Sequence, residues 1–372
     1  MIRAVLIDDE PLAIRLLQSR LEATEDYEIV GTYVSEDGLQ AELKSIDFDV
    51  AFIDIDLQGT NGMDLAEFLL SEIERIQVVF VTAYEEYAVR AFELHAVDYL
   101  LKPVMDERLN KTTKRLKEAM VLLHSEVREE VHEPVQIYSF QELMVYRHKE
   151  LVNWKTSKVK ELFAYLFTYH EQYIDRDLII EALWPEEDYK RSKIHLHTCV
   201  YHLRKLLHSL GFHQPISFSD KCYSLSLSNV QNDVDEWQAL MNEFERDPDK
   251  FSTHQFDRVL HLYKGKYLER NDYNWARDRS STYQYKMIQF LNVMKKKYKG
   301  RHEKALKCLA FLAQEDPYSE DLLKEELDHL RAIGQLAEAK SKYAEFVRRV
   351  NEDLSLEPSD SLKSYYRAHI QS

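Results

Sequence analysis

From residue 1 to about 124 the chain alternates short apolar runs with stretches of helical periodicity. The runs lie within Arg3–Ile7, Val50–Asp54, Val78–Val81 and Asp98–Leu101, and continuous apolar runs of this length mark strands buried on both faces of a parallel sheet. Between them, Leu12, Ile14, Leu16, Leu17 and Leu21 predict an apolar helical stripe, and Leu65, Phe68, Leu69 and Ile73 predict another. Strand alternating with helix implies a doubly wound α/β layer, with helices on both faces of the sheet. Asp106 to about Glu129 then reads as one long helix, with Leu109, Leu116, Met120 and Leu123 as its apolar positions. Its acidic end, EVREEVHEP, closes at Pro134 and makes residues 125–134 the expected linker.

From Val135 the pattern becomes one of alternation. Val135, Ile137 and Phe140, then Leu143 and Val145, then Leu151 and Trp154 predict short antiparallel strands, with a turn at Arg147–Glu150. Thr156 or Ser157 caps the helix that follows, whose apolar face is Val159, Leu162, Phe163, Leu166 and Phe167. A second helix starts at Asp175 or Asp177 and ends at Trp184-Pro185, a third runs from about Lys190 to Leu207, and Phe218–Leu227 alternates as a closing hairpin. Small sheet, three helices and hairpin, over residues 135–230, is the α+β order of a winged helix-turn-helix.

Residues 233–372 read as helical throughout. Gly300 and Gly334 are 34 positions apart, as are Ala305 and Ala339, and Pro317 and Pro358 punctuate helix ends. That is the period of tetratricopeptide repeats, in which small residues let paired helices stack closely. The aromatics Tyr273, Trp275, Tyr283 and Tyr285 are assigned to the core rather than to a binding cage.

The polar residues that end the apolar runs carry the candidate chemistry. Asp8 and Asp9 close the first run, Asp54 sits at the end of a central one, Thr82 closes the third, and Lys102 with Pro103 the fourth. Ligands of open α/β sheets bind outside the carboxyl ends of the strands, so these groups gather at one edge. They suit phosphoryl transfer: Asp8 and Asp9 offer oxygen ligands to Mg²⁺, and the metal with Lys102 neutralises a phosphoryl group arriving on Asp54.

On these residues the segment 1–124 resembles a response-regulator receiver domain, through LIDDE at 6–10, FIDID at 52–56, FVTAY at 80–84 and DYLLKP at 98–103. The resemblance implies a five-stranded parallel sheet, Asp54 as phosphoacceptor, and Mg²⁺ held by Asp8, Asp9, Asp54 and the backbone carbonyl of Asp56. It also implies that Thr82 and Lys102 sense the phosphoryl group, that Tyr99 turns inward, and that the face of the fourth and fifth helices then shifts. The loop Leu57-Gln58-Gly59 lacks the proline often found in that family.

In the third helix of the middle segment, Leu196, Val200, Leu203 and Leu207 recur at helical spacing and form its buried stripe. The opposite face presents Arg191, Ile194, His195, Thr198, Tyr201, His202 and Lys205, with Arg204 at the border, and no acidic residue occurs between Asp188 and Asp220. A basic, hydrogen-bonding helix face fits the major groove of double-stranded DNA. Histidines on it would make DNA affinity fall as pH rises through their titration. His195, Cys199 and His202 are also spaced to share a metal, but a structural zinc site pairs two short-spaced motifs and no second one is visible.

WKTSKVKELFAYL, DLIIEALWP and VYHLRKLL resemble the OmpR-type winged helix, in the variant of the Streptomyces antibiotic regulatory protein family. The hairpin DKCYSL lacks the glycine and arginines often found in its wing and leaves Lys221 for a phosphate. ALKCL, DPYSED, IGQLAEA and LSLEPS resemble the bacterial transcriptional activator domain of the same family.

Composition narrows the setting. A formal net charge of −16, from 65 acidic and 49 basic residues, excludes a uniformly basic nucleic-acid binder and confines DNA contact to a local patch. Three scattered cysteines give no disulfide framework and suit a reducing cytoplasm, and the chain shows no signal peptide and no membrane-length apolar run. The sequence therefore predicts a cytoplasmic, non-enzymatic response regulator. Its implied partners are a sensor histidine kinase, promoter DNA, RNA polymerase and, on phosphorylation, a second copy of itself. The rival expectation is a phosphorylation-gated scaffold whose repeats hold a partner protein.

Overall fold

The computed structural model describes residues 1–42, 46–57, 60–73, 76–88, 91, 94, 96–124, 133–212 and 214–371. Most of the expected linker and Gln58-Gly59 lie outside these residues. Two compact units are present, one within Met1–Ile137 and Leu143–Gln231, the other formed by Tyr138–Glu142 and the chain from Asn232 onward.

The first unit begins with five parallel strands: β1 (Ile2–Ile7), β2 (Tyr27–Tyr33), β3 (Val50–Ile53), β4 (Gln77–Thr82) and β5 (Asp98–Leu101), in the spatial order β2-β1-β3-β4-β5. Burial on both faces explains the unbroken apolar runs. Val5 and Ile7 join one core with Phe80, Leu65 and Leu69, while Ala4 and Leu6 join another with Leu17, Leu21, Leu109 and Leu116. Helices α1 (Pro11–Glu22), α2 (Glu36–Glu42), α3 (Gly62–Glu72) and α4 (Asp106–His124) are the helices described around this sheet.

The expected first-helix stripe is corrected. Ile14, Leu17 and Leu21 are buried, but Leu12 and Leu16 are 68% and 58% exposed, because a 3.6-residue period puts those two on the far side. Helix α4 is fixed to β5 by Asp98, whose buried carboxylate accepts from Arg108, Arg115 and the Thr112 hydroxyl at 2.7–2.9 Å.

The unit continues with β6 (Val135–Tyr138), β7 (Met144–Arg147) and β8 (Glu150–Leu151), then α5 (Ser157–Thr168), β9 (Ile174–Asp175), α6 (Arg176–Leu183) and α7 (Tyr189–Ser209). Strands β10 (Ile216–Ser219), β11 (Cys222–Leu225) and β12 (Val230–Asn232) complete it. The sheets are β8-β7-β6-β12 and β9-β11-β10. Each helix start has a side-chain cap: Thr156 accepts from Val159 N, Asp175 from Asp177 N, and Asp188 from Lys190 N and Arg191 N. Both hairpin tips use two successive left-handed residues, His148-Lys149 and Asp220-Lys221, the backbone of a tight two-residue turn. Leu151 is 54% exposed, because β8 is a two-residue edge strand.

The second unit is helical: α8 (Asp233–Arg246), α9 (Thr253–Leu262), α10 (Arg277–Lys297), α11 (His302–Glu315), α12 (Glu320–Ala332), α13 (Leu336–Leu354) and α14 (Asp360–Tyr366). Ala305 and Ala339 are each the fourth residue of their helix, α11 and α13, and each is fully buried. Gly334 ends α12 with φ +77°, a conformation that favours glycine. Residues Tyr138–Glu142 pack into this unit: Phe140 lies against Trp237 and Tyr263, and the Asp233 carboxylate accepts from Ser139 N and Phe140 N at 2.9–3.1 Å. Among the aromatics expected in the core, Tyr283 is buried but Tyr285 is 64% exposed on the outer face of α10.

Candidate functional site

The carboxyl ends of β1, β3, β4 and the segment after β5 bring the polar chain ends together. Asp8 and Asp54 are each 6% exposed and Thr82 is fully buried. Lys102 Nζ lies 2.6 Å from Asp54 Oδ2 and 2.7 Å from Asp8 Oδ2, so it bridges two strands. Oxygens of Asp8, Asp9 and Asp54 all lie within 4.8 Å of one another. Backbone amides hold the pair in place: Glu10 N donates to Asp8 Oδ1 at 3.0 Å, and Ile55 N to Asp54 Oδ1 at 2.6 Å.

Electrostatics follow from this crowding. Burial raises the Asp8 carboxyl above its ordinary value, with Lys102 pulling the other way. Burial would lower the Lys102 ammonium, but the hydrogen bonds and charges of Asp54 and Asp8 outweigh it and hold it above its usual range. Three carboxylates against one ammonium leave a formal charge of about −2, and hard oxygen donors so arranged fit a divalent cation. The Asp56 carboxylate accepts from the Tyr84 hydroxyl at 3.1 Å.

Tyr99 is half-buried, packs its ring 6.4 Å from Phe80, and donates its hydroxyl to the Tyr84 carbonyl. Burial, then the Asp54 charge, push its phenol up to about 12. Two residues were not singled out from sequence. Tyr84 stands within the quoted FVTAY segment and reaches over to Asp56. Gly62 is pressed on the site's backbone: a Cβ there would meet the Asp54 carbonyl oxygen at 1.9 Å. A lone glycine opening a helix is the signal for it, visible only beside a strand end.

On α7 the buried stripe is Leu196, Val200, Leu203 and Leu207, as the spacing predicts. Arg191, Tyr201, Lys205 and the hairpin residue Lys221 are exposed, while Ile194, His195, Thr198 and His202 are half-buried. His195 Nδ1 pairs with Glu187 at 3.0 Å. Burial, then Lys155 and Lys205, lower the His202 imidazole. Cys199 is buried and its thiol is pushed up to about 12 by desolvation, which opposes a metal-binding thiolate.

Arg204 is a correction. Expected at the border of the exposed face, it is 8% exposed and donates to the carbonyls of Leu70 at 2.6 Å and Ile216 at 3.2 Å. Packing against α3, which a helical wheel cannot represent, buries it.

Two segments of the chain match known families. Residues 4–114 match the profile described as the response regulator receiver domain, and residues 233–369 that of the bacterial transcriptional activator domain. Transcriptional regulatory protein BtsR of Escherichia coli is 43% identical over 119 residues, covering 32% of this chain and 49% of that protein. BtsR of Salmonella typhi is 41% identical over 118 residues, covering 32% and 49%. The match thus spans about half the length of these relatives. The response regulatory domain of protein mrkE from Klebsiella pneumoniae has 32% sequence identity and a TM-score of 0.30, over 32% of this chain and 96% of that one. The chain therefore joins a response regulator receiver domain to a bacterial transcriptional activator domain.

Proposed function

We propose that the protein is a two-component response regulator in which a histidine kinase phosphorylates Asp54 and thereby controls promoter binding and transcription activation. The observation that carries the reading is the Lys102 ammonium bridging Asp54 and Asp8 beside Asp9 and the buried Thr82. An Asp54 carboxylate oxygen attacks the phosphorus of a phosphohistidine. The phosphorus–nitrogen bond breaks, and the imidazole nitrogen keeps the pair and takes up a proton. Lys102 then transfers its hydrogen bond from the Asp54 carboxylate to a phosphoryl oxygen, and the Thr82 hydroxyl donates to another. Asp8, Asp9, Asp54 and the Asp56 carbonyl would hold Mg²⁺, which supplies charge neutralisation at the phosphoryl oxygens.

Residues 135–230 are read as an OmpR-type winged helix. The order of helices α5, α6 and α7 followed by the β10–β11 hairpin supports this, and α7 then presents Arg191, Ile194, His195, Thr198, Tyr201, His202 and Lys205 to the major groove, with Lys221 on the hairpin. The 34-residue equivalence of Ala305 and Ala339 supports a tetratricopeptide-like array from residue 233 onward, a surface suited to RNA polymerase or a second copy. The proposed setting is the cytoplasm; among the described residues no helix is long and apolar enough to cross a membrane.

The test is intact mass after incubation with Mg²⁺ and acetyl phosphate. A phosphate-sized gain in the native chain and none in Asp54→Ala is expected; a gain that survives the substitution overturns the assignment.

A further inference from the structure

Helix α3 touches both the phosphorylation site and the proposed DNA-binding helix. At its start, Gly62 N donates to the Ile55 carbonyl at 2.8 Å, and the Gly62 Cα lies so close to the Asp54 carbonyl that no side chain fits between them. Asn61 caps the helix by accepting from Met63 N at 2.9 Å. The first turn of α3 is therefore packed on the backbone of the residue that would carry the phosphoryl group.

The other end meets α7. The last carbonyls of a helix have no partner within it, and that of Leu70 accepts from Arg204 Nη1 at 2.6 Å. The same guanidinium reaches the Ile216 carbonyl of β10, so one buried cation staples the C-terminus of α3 to α7 and the hairpin. A cation at a helix C-terminus is also favoured by the helix dipole. Nearer the start of α3, Asp64 in the first turn lies within electrostatic reach of His197 on α7. An eleven-residue helix is a rigid rod of about 16 Å, so displacement at one end is carried to the other.

We infer that α3 is the element through which the state of Asp54 reaches α7, with Arg204 as the positioning residue that couples them. This rests on the reading of Asp54 as phosphoacceptor and α7 as the DNA-binding helix. In the unphosphorylated protein the Leu70–Arg204 contact holds α7 and β10 against the receiver. Movement of the Asp54–Gly62 backbone on phosphorylation shifts α3 and loosens that contact. Both ends must differ between the two states, since a ligand or modification moves an equilibrium only by differential interaction.

The test is hydrogen exchange of the full chain, read on peptides covering 62–72 and 200–219, with and without Mg²⁺ and acetyl phosphate and with intact mass recorded on the same samples. Without phosphodonor, Arg204→Ala is expected to speed exchange in the last turn of α3 by about tenfold, the size expected for one lost charge-assisted hydrogen bond. Phosphorylation of the native chain is expected to produce the same increase, and to add nothing in Arg204→Ala. Should Arg204→Ala lose protection throughout α7, Arg204→Lys keeps the charge but cannot donate to the Leu70 and Ile216 carbonyls together, and is expected to speed the same peptides to a smaller degree. Unchanged α3 exchange in both variants, or a phosphate gain that leaves α3 exchange as it was, overturns the coupling alone. Absence of the phosphate gain overturns the phosphoacceptor reading and the coupling with it, while the two variants still report on the contact.

Discussion

Lys102 Nζ sits 2.6 Å from Asp54 and 2.7 Å from Asp8, one ammonium shared by two buried carboxylates from adjacent strands. Removing it leaves three acids within 4.8 Å of one another and no cation among them. Breaking a buried pair from one side is strongly destabilising, and water and proton uptake relieve part of the cost. Lys102→Met is therefore expected to lower stability by about 2–3 kcal/mol in a chelator at neutral pH. Mg²⁺ should restore more stability to the variant than to the native chain, because the cation enters a more negative site. Calorimetric unfolding with and without Mg²⁺ checks both; an unchanged midpoint in the chelator would refute the stabilising role of the bridge.

Gly62 makes a second prediction. A methyl group there would lie 1.9 Å from the Asp54 oxygen and 2.8 Å from its carbon, both backbone atoms that cannot rotate away. Gly62→Ala should lower stability by about 2–3 kcal/mol, at the upper end for overpacking, and should slow phosphorylation of Asp54 by displacing its carbonyl. Calorimetry and time-resolved intact mass are the measurements. If alanine is tolerated at native stability, the close approach is not a feature of the folded protein.

The strand-tip residues were legible in the sequence because an acid, hydroxyl or amine that closes an apolar run has one place to go in a parallel sheet. The stripe of α7 was legible because one face of a helix follows directly from spacing. Arg204 was not, because whether a border residue is exposed depends on the element packed beside it, here α3 from far earlier in the chain. Leu12 and Leu16 were misassigned for the opposite reason: a run dense in leucine matches several wheel positions, and only the sheet selects Ile14, Leu17 and Leu21. The Asp233–Ser139 contact joins residues 94 positions apart and leaves no periodic trace.

That contact gives a pH dependence. Burial raises the Asp233 carboxyl to about 6, against hydrogen bonds from Phe140, Ser139 and Val234 that pull it down. With the folded pKa above the unfolded one, the native state binds the extra proton between the ordinary value of 3.8 and about 6, so this group's contribution to stability falls as pH rises through that window. Asp233→Asn should lack this slope. The stability of the variant relative to native should rise by up to about 3 kcal/mol between pH 4 and pH 7, at about 1.4 kcal/mol for each pH unit of that window. Urea unfolding followed by tryptophan emission is suited to it, because Trp237 packs 5.4 Å from Phe140. A difference that stays flat with pH would show that Asp233 titrates normally.

The cations of the proposed DNA face separate from Arg204 by their response to salt. Arg191, Lys205 and Lys221 are exposed and free to approach phosphates, whereas the Arg204 guanidinium is bound to two carbonyls. On a random-sequence duplex at low salt, each of Arg191→Ala, Lys205→Ala and Lys221→Ala should reduce the slope of log affinity against log salt by about 0.9, the counterions released at one phosphate. Arg204→Ala should leave that slope unchanged, since the residue neutralises no phosphate. His202 adds a proton dependence with a defined sign: burial and the neighbouring Lys155 and Lys205 lower it, so its charge, and any gain in affinity from it, arises only below its ordinary value of 6.5. Fluorescence anisotropy across salt and pH measures all of these. A slope that drops for Arg204→Ala would place that side chain on DNA and remove it from the contact with α3.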